Sequence, residues 1–499
     1  MKTTMVSLAA MALAFGLAGA AQAADPKVKV ESGVIAGVQT DGVNIFKGVP
    51  YAKPPVGALR WTPPQRAAAW TGERKALDFG APCMQPQRQA APSGPGTPSE
   101  DCLYVNVWAP ANARNAPVMV WIHGGSNISG SGSNYDGSKF ARDGIVLVTI
   151  NYRMGAFGFF SHPAITKAAK VDEPLSNYAL MDQMAALSWV QRNAAAFGGD
   201  AKNVTVFGES AGAMDIVALL GIPQTKGLYA KAIVESNIGW GTATPLAQKE
   251  QQGVDIAAKA GAPADATLAQ LKAIPADKLL ANQTGASTAI DNRLVKEAAY
   301  TAFANGRGVD VPLIIGSNSY EASLIAARNP TKQQADDYTD GSAGSPARFI
   351  AAKSADGAPA WLYHFTYIRE QDRPTNPGGA IHASEIPFVF DTLSRPTAYV
   401  KEPKPTANDQ SIATKMHACW VSFAKVGKPY CAWGGADWPP YTPSADQTMV
   451  FGDDSKVVAH FRKEQLDLAE QRQATAMANG GGGAGRGAAT RASANPSDR

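Results

Sequence analysis

Along the chain, short apolar runs alternate with stretches of helical period. "APVMVWIHGG", "GIVLVTINYR", "NVTVFGES", "AKAIVESN", "VPLIIGSN" and "WLYHFTYI" are rich in Val, Ile and aromatic residues, and several end in Gly, Asn or Ser. Runs of this kind read as strands buried on both faces. "NYALMDQMAALSWVQRNAAAFGG" instead places Leu180, Met184, Leu187 and Val190 at helical spacing and stops at Gly198 and Gly199. Strands separated by helices predict an α/β fold, a central, mostly parallel, twisted sheet flanked by helices. Reactive groups in such sheets gather at the carboxyl ends of the strands.

Both ends of the chain depart from this pattern. Lys2, the apolar "MVSLAAMALAFGLAGA" and the small-residue "AQA" before "ADPK" read as a signal peptide over residues 1–23, cleaved after Ala23. An N-terminal membrane anchor is the alternative, but the apolar stretch is short for a span and ends in small residues. No later segment is apolar for long enough to cross a bilayer, so no stable anchor is expected. Residues 479–499, "NGGGGAGRGAATRASANPSDR", lack an apolar period and read as a disordered Gly/Ala-rich tail. Residues 24–478 remain for one α/β domain, delivered by export to the periplasm or the medium.

Composition narrows the function classes. The 499 residues are 45% hydrophobic and 18% charged, with a net charge of +4 and no long Lys/Arg run. Nothing here suggests a nucleic-acid partner. In an exported chain the four cysteines become interpretable. Cys83 and Cys102 bracket 18 residues and Cys419 and Cys431 bracket 11, so two local disulfides are the simplest of the three pairings. Free buried thiols stay open as the alternative, chiefly for the second pair. Neither spacing is Cys-x-x-Cys and histidines do not cluster, so no metal is expected.

The candidate chemistry sits in "NVTVFGESAGAMDIVALLG". Gly208-Glu209-Ser210-Ala211-Gly212 fits the G-x-S-x-G turn, with a strand-like run before it and a helix former after it. The turn is too tight for flanking side chains, which the two glycines relieve. It exposes the Ser210 hydroxyl above the sheet and leaves the Ala211 N–H at a helix start, where it can stabilise negative charge. In "VMVWIHGGSN", Gly124 and Gly125 let backbone amides approach a developing oxyanion, and His123 reads as a structural residue of the same loop. Serine is a poor nucleophile until a base takes its proton and a carboxylate sets that base's tautomer.

At these motifs the chain resembles the type-B carboxylesterases, serine esterases of the α/β-hydrolase fold. The resemblance runs from about Val28 to about Pro440. It rests on "FKGVPYAKPPVGALRW", "SEDCLYVNVWAP", "WIHGGS", "NYRMGAFGFF", the segment from "NYALMDQ" through "GESAG", "GSNSYEA" and "HASEIPFVF", in the family's order. It implies an ester hydrolase that needs no cofactor and takes a small-molecule ester. It also implies a triad of Ser210, Glu321 and His382, with Gly124, Gly125 and Ala211 as oxyanion donors. The order Ser, acid, His agrees with that fold.

Other residues compete for these roles. His364 lies in a strand-like run and His460 follows "KVVA" near the end. Asp310 precedes a strand that Glu321 follows, and Asp356 sits in a turn. Glu209 is held in the elbow, and Glu385 is placed to hold the loop carrying His382. The chain departs from the family after the elbow, at Ala213, Met214 and Asp215. Its arm from Glu321 to His382, 61 residues, is short, which predicts a reduced helical cap. A catalytically silent binding or adhesion relative and an amide, lactone or thioester hydrolase are the alternatives. The oligomeric state is not legible.

Overall fold

The computed structural model describes residues 25–86, 96–396, 401–431 and 438–478. The expected signal segment and tail lie outside the described residues. The main sheet has eleven strands. In chain order these are β1 (Val38–Thr40), β2 (Val43–Pro50), β3 (Tyr104–Pro110), β4 (Ala116–Ile122), β5 (Val146–Ile150), β6 (Gly199–Glu209), β7 (Lys231–Glu235), β8 (Leu313–Asn318), β9 (Ala360–Phe365), β10 (Gln447–Phe451) and β11 (Lys456–Ala459). Across the sheet they lie in the order β1-β2-β3-β5-β4-β6-β7-β8-β9-β10-β11. From β5 to β10 neighbours run parallel, while β1, β2, β3 and β11 pair antiparallel.

The strands are apolar throughout because both faces are covered. In β4, Val118, Val120 and Ile122 join one core and Met119 and Trp121 the other. The same alternation splits Val206 from Phe207, Val234 from Ile233 and Ile315 from Ile314. Helices Tyr178–Asn193 and Ala211–Leu220 supply Leu180, Leu187, Ile216 and Leu219 to the first core. Helices Ser138–Arg142 and Ala407–Val426 supply Phe140, Met416, Trp420 and Phe423 to the second.

All six apolar runs singled out above contain a strand of this sheet, and the long amphipathic segment is the helix Tyr178–Asn193. The fold extends further than the sequence motifs did. Beyond Pro440, β10 and β11 complete the sheet, and helix Lys463–Ala478 packs through Arg348, which donates to Asp467 and Glu470. These two strands are partly exposed and mix polar with apolar residues, so they form no continuous apolar run, which explains the early end of the motif-based boundary. Between β7 and β8 the chain forms helices Leu246–Lys259, Leu268–Lys272, Ala276–Asn282 and Ala299–Ala304. Cys83 is bonded to Cys102 and Cys419 to Cys431. Among the described residues no helix is long and apolar enough to cross a membrane.

Candidate active site

Ser210 lies between β6 and helix Ala211–Leu220 with φ 55° and ψ −121°. An L-residue adopts that conformation only when its surroundings impose it. Here they do. The Ser210 N–H donates to Glu235 O on the neighbouring strand at 3.0 Å. A side chain at Gly212 would put its Cβ 2.0 Å from Ile122 O, and one at Gly208 would put it 2.5 Å from the same atom. The two glycines therefore let the elbow settle onto the end of β4, as the motif required.

The loop after β4 closes over the elbow. A Cβ on Gly124 would meet Glu209 Oε2 at 2.7 Å, Glu209 O at 2.8 Å and Ser210 Cβ at 3.0 Å, so this glycine lies directly on the nucleophile turn. Gly125 has φ 107°, and a Cβ there would lie 1.9 Å from Ser129 O. Among the described residues, none accepts the N–H of Gly124, Gly125 or Ala211. His123 is buried, stacks on Tyr152 at 4.5 Å and places Nδ1 2.8 Å from Gly124 O. Burial pushes it down to about 4, so it is neutral near pH 7.

Glu321 and His382 arrive on the other side. Glu321 sits three residues after β8 and is fully buried. Its Oε1 accepts from the Asn318 N–H at 2.7 Å, and its Oε2 accepts from His382 Nδ1 at 2.6 Å. Burial raises the Glu321 carboxyl, but the His382 charge and these hydrogen bonds outweigh it and hold the group below its ordinary range. An ionised acceptor at Nδ1 sets the tautomer, leaving Nε2 to take a proton. The two loops are stitched together. Tyr320 N–H donates to Ala380 O at 2.9 Å, His382 N–H to Ser323 Oγ at 3.0 Å, and Asn318 Nδ2 to Ile381 O at 2.8 Å.

Two further carboxylates face this pair. His382 Nε2 stands 3.1 Å from Glu209 Oε1, a pair that is ionic only when the imidazole is protonated, and no hydrogen bond forms there in this geometry. Glu385 accepts from Asn318 Nδ2 at 2.5 Å and from Ser236 Oγ at 3.1 Å, tying the His382 loop to β8 and to the end of β7. Burial raises both Glu209 and Glu385. Burial lowers His382, but the charges of Glu209 and Glu321 outweigh it and raise the imidazole.

Ser210, Gly124, Ala211, Glu209, His382 and Glu321 thus share one region at the carboxyl ends of β4, β6 and β8. No hydrogen bond joins Ser210 Oγ to His382 Nε2 in this geometry, and in enzymes without substrate that contact is often long. Of the competitors, His364 is buried within β9, His460 is exposed, and Asp310 accepts from the Ala358 N–H at 2.7 Å. Sequence reasoning did not anticipate the approach of Glu209 to Nε2 or the roles of Asn318, Ser236 and Ser323. Only the clustering of "ESN", "GSNSYEAS" and "HASE" after strands hinted at them.

Comparison with known proteins agrees with this geometry. The chain matches the carboxylesterase family over residues 24–345 and 331–469. It is 35% identical to the fumonisin B1 esterase of Sphingopyxis macrogoltabida over 87% of this chain and 88% of that one. It is also 35% identical to the para-nitrobenzyl esterase of Bacillus subtilis (strain 168) over 85% and 94%. A solved PNB esterase superposes with a TM-score of 0.79 at 32% identity, covering 88% of this chain and 98% of the other. With the sheet order, the Glu321–His382 pair and the strained serine, these matches make the chain a member of the type-B carboxylesterase family, a carboxylic ester hydrolase of the α/β-hydrolase fold.

Proposed function

We propose that the protein is an exported serine esterase that cleaves esters through an acyl-enzyme. His382 Nε2 takes the Ser210 proton as Ser210 Oγ attacks the ester carbonyl. The N–H groups of Gly124, Gly125 and Ala211 receive the negative oxygen. The alcohol leaves with the proton from His382, and water then attacks the acyl group by the same route. Glu321 keeps Nδ1 protonated and stabilises the imidazolium during each transfer. The observation that carries this reading is the Glu321–His382 hydrogen bond of 2.6 Å, with Nε2 beside the elbow 3.1 Å from Glu209 Oε1. Two disulfides accord with an oxidising compartment and with a cleaved leader over residues 1–23.

The substrate is an ester with a bulky or branched alcohol part. Relatives named for para-nitrobenzyl and fumonisin B1 esters point that way. So does the exposed apolar surface one turn beyond the catalytic residues, Met214 after Ser210 and Leu324 after Glu321. Ser210→Ala should stay folded and lose roughly a thousandfold or more in kcat on p-nitrophenyl butyrate. An organophosphate should label Ser210 alone. Substantial turnover by folded Ser210→Ala would remove the mechanism. A large advantage of ethyl acetate over p-nitrobenzyl acetate in kcat/KM would remove the substrate class.

A further inference from the structure

Helix Ala211–Leu220 carries a carboxylate on its buried face, just over one turn beyond Ser210. Asp215 is 2% exposed, and its partners are two amides. Asn127 Nδ2 donates to Oδ1 at 2.8 Å and Gln183 Nε2 donates to Oδ2 at 2.5 Å. A carboxylate buried among neutral donors is costly to keep, since an apolar or amide side chain would fill the same space without a charge to desolvate. Its value must lie in what it holds.

What it holds is the loop over the nucleophile. Gly125, Ser126 and Asn127 have φ of 107°, 59° and 56° in succession. For the two non-glycine residues this backbone is unfavourable unless it is tied down. Asn127 is tied at two atoms and approached at a third. Its Nδ2 donates to Asp215, its Oδ1 lies 3.1 Å from the Tyr152 hydroxyl, and its backbone O accepts from the Gly155 N–H at 2.7 Å. The Tyr152 hydroxyl also donates to His123 O at 2.7 Å, at the residue before Gly124. Tyr152 therefore anchors the near end of the loop and Asn127 the far end. Gly124 and Gly125, with their open N–H groups, lie between.

We propose that Asp215 is a positioning residue for ester hydrolysis: it holds Asn127, and through Asn127 it sets the backbone of Gly124 and Gly125 in the geometry that receives the oxyanion. This rests on the reading of those amides as oxyanion donors. Residue chemistry explains the carboxylate. Asn127 and Gln183 both present NH2 groups, and the two carboxyl oxygens offer an acceptor to each, whereas an amide in that place would offer one oxygen and a competing donor. The side chain touches neither substrate nor reacting atoms. Its effect should therefore appear where negative charge develops and not in ground-state binding.

A double-mutant cycle on the full chain tests this. Asp215→Ala and Asn127→Ala should each lower kcat on p-nitrophenyl butyrate by about 10- to 100-fold, with KM within about twofold, as expected when an oxyanion contact is misplaced rather than removed. Affinity for a trifluoromethyl ketone, whose adduct carries the oxyanion, should fall by a similar factor. The double variant should be no slower than the slower single variant, because both changes release the same loop. Multiplicative losses, or a loss confined to KM, would overturn the proposal, as would kcat within twofold of the parent in folded Asp215→Ala. Should Asp215→Ala not fold, the isosteric Asp215→Asn replaces it. With one acceptor oxygen for two donors it loosens Asn127, and its loss must again vanish in the Asn127→Ala background. Ser210→Ala separates the two levels of inference. If it retains activity, the site reading falls and this proposal with it. If it is inert while the cycle is multiplicative, only the role of Asp215 falls.

Discussion

The two sides of Ser210 are built from opposite materials. On the base side, Glu209, Glu321 and Glu385 surround one imidazole, and all three are buried. On the oxyanion side, backbone amides face the elbow, the Glu209 carboxylate reaches the Gly124 end of their loop, and Asp215 ties the Asn127 end. The chemistry accounts for the difference. In the proposed mechanism, attack by Ser210 creates a cation at His382 and an anion at the former carbonyl oxygen. Negative charge near the imidazole stabilises the first, whereas the same charge beside the amides would oppose the second. Glu209 lies where the two sides meet, with Oε1 toward His382 Nε2 and Oε2 toward Gly124, whereas Glu321 and Glu385 keep to the base side. The lesson is that a buried carboxylate here is read by what it faces, not by its burial.

This contrast can be broken most severely at Glu321. Glu321→Gln offers His382 Nδ1 an amide that can itself donate, so the tautomer is no longer enforced. The expected loss in kcat is about 10³- to 10⁴-fold with the fold intact. Steady-state kinetics with a circular dichroism check measure it, and a loss under tenfold would mean that His382 is oriented by another group.

Glu209→Gln is a milder break on the same side. Burial makes the Glu209 carboxyl hard to ionise, but its charge is the first of the carboxylate effects that raise His382. Without it the imidazolium is less favoured, so His382 loses its proton at lower pH. The acid limb of the kcat/KM profile should move to lower pH, and kcat should fall about tenfold as the forming imidazolium loses a neighbour. An unmoved limb would show that the 3.1 Å approach does not influence the base.

The smallest expected effect sharpens the other side. Burial pushes Asp215 up to about 7 from an ordinary 3.8. An acid whose folded-state pKa is raised binds more protons in the folded than in the unfolded chain between those values. Its contribution to stability is therefore full below about pH 4 and is lost as pH rises through about 7. Asp215→Asn has no such dependence. The Tm of the variant relative to the parent should rise by on the order of a few degrees between pH 5 and pH 7.5. A constant difference across that range would mean that Asp215 is ionised throughout.

Much of the fold was legible along the chain. Strands β4 to β9 are continuous apolar runs because helices cover both faces, and the elbow announces itself because only glycine fits at 208 and 212. Both are local consequences of backbone sterics and burial, so a short window of residues contains them. Strands β10 and β11 were not legible, since they are partly exposed and mix polar with apolar residues, unlike the equally short but fully buried β5 and β7.

The sequence alone determined the α/β class and, through the family's motifs, singled out Ser210, Glu321 and His382, while it left the cysteine pairing open for the structure to show as Cys83–Cys102 and Cys419–Cys431. Only the tertiary structure decided that Glu209 faces His382 Nε2 rather than solvent, and that Asn127, Gln183 and Asp215 form one hydrogen-bonded group. Asn127 and Asp215 are 88 residues apart, and Gln183 and Asp215 are 32 apart. Each of these residues looks ordinary in its own segment. Hydrogen bonds between side chains so distant in sequence leave no period and no spacing to read, because their partners meet only when β4, β6 and the helix Tyr178–Asn193 have packed.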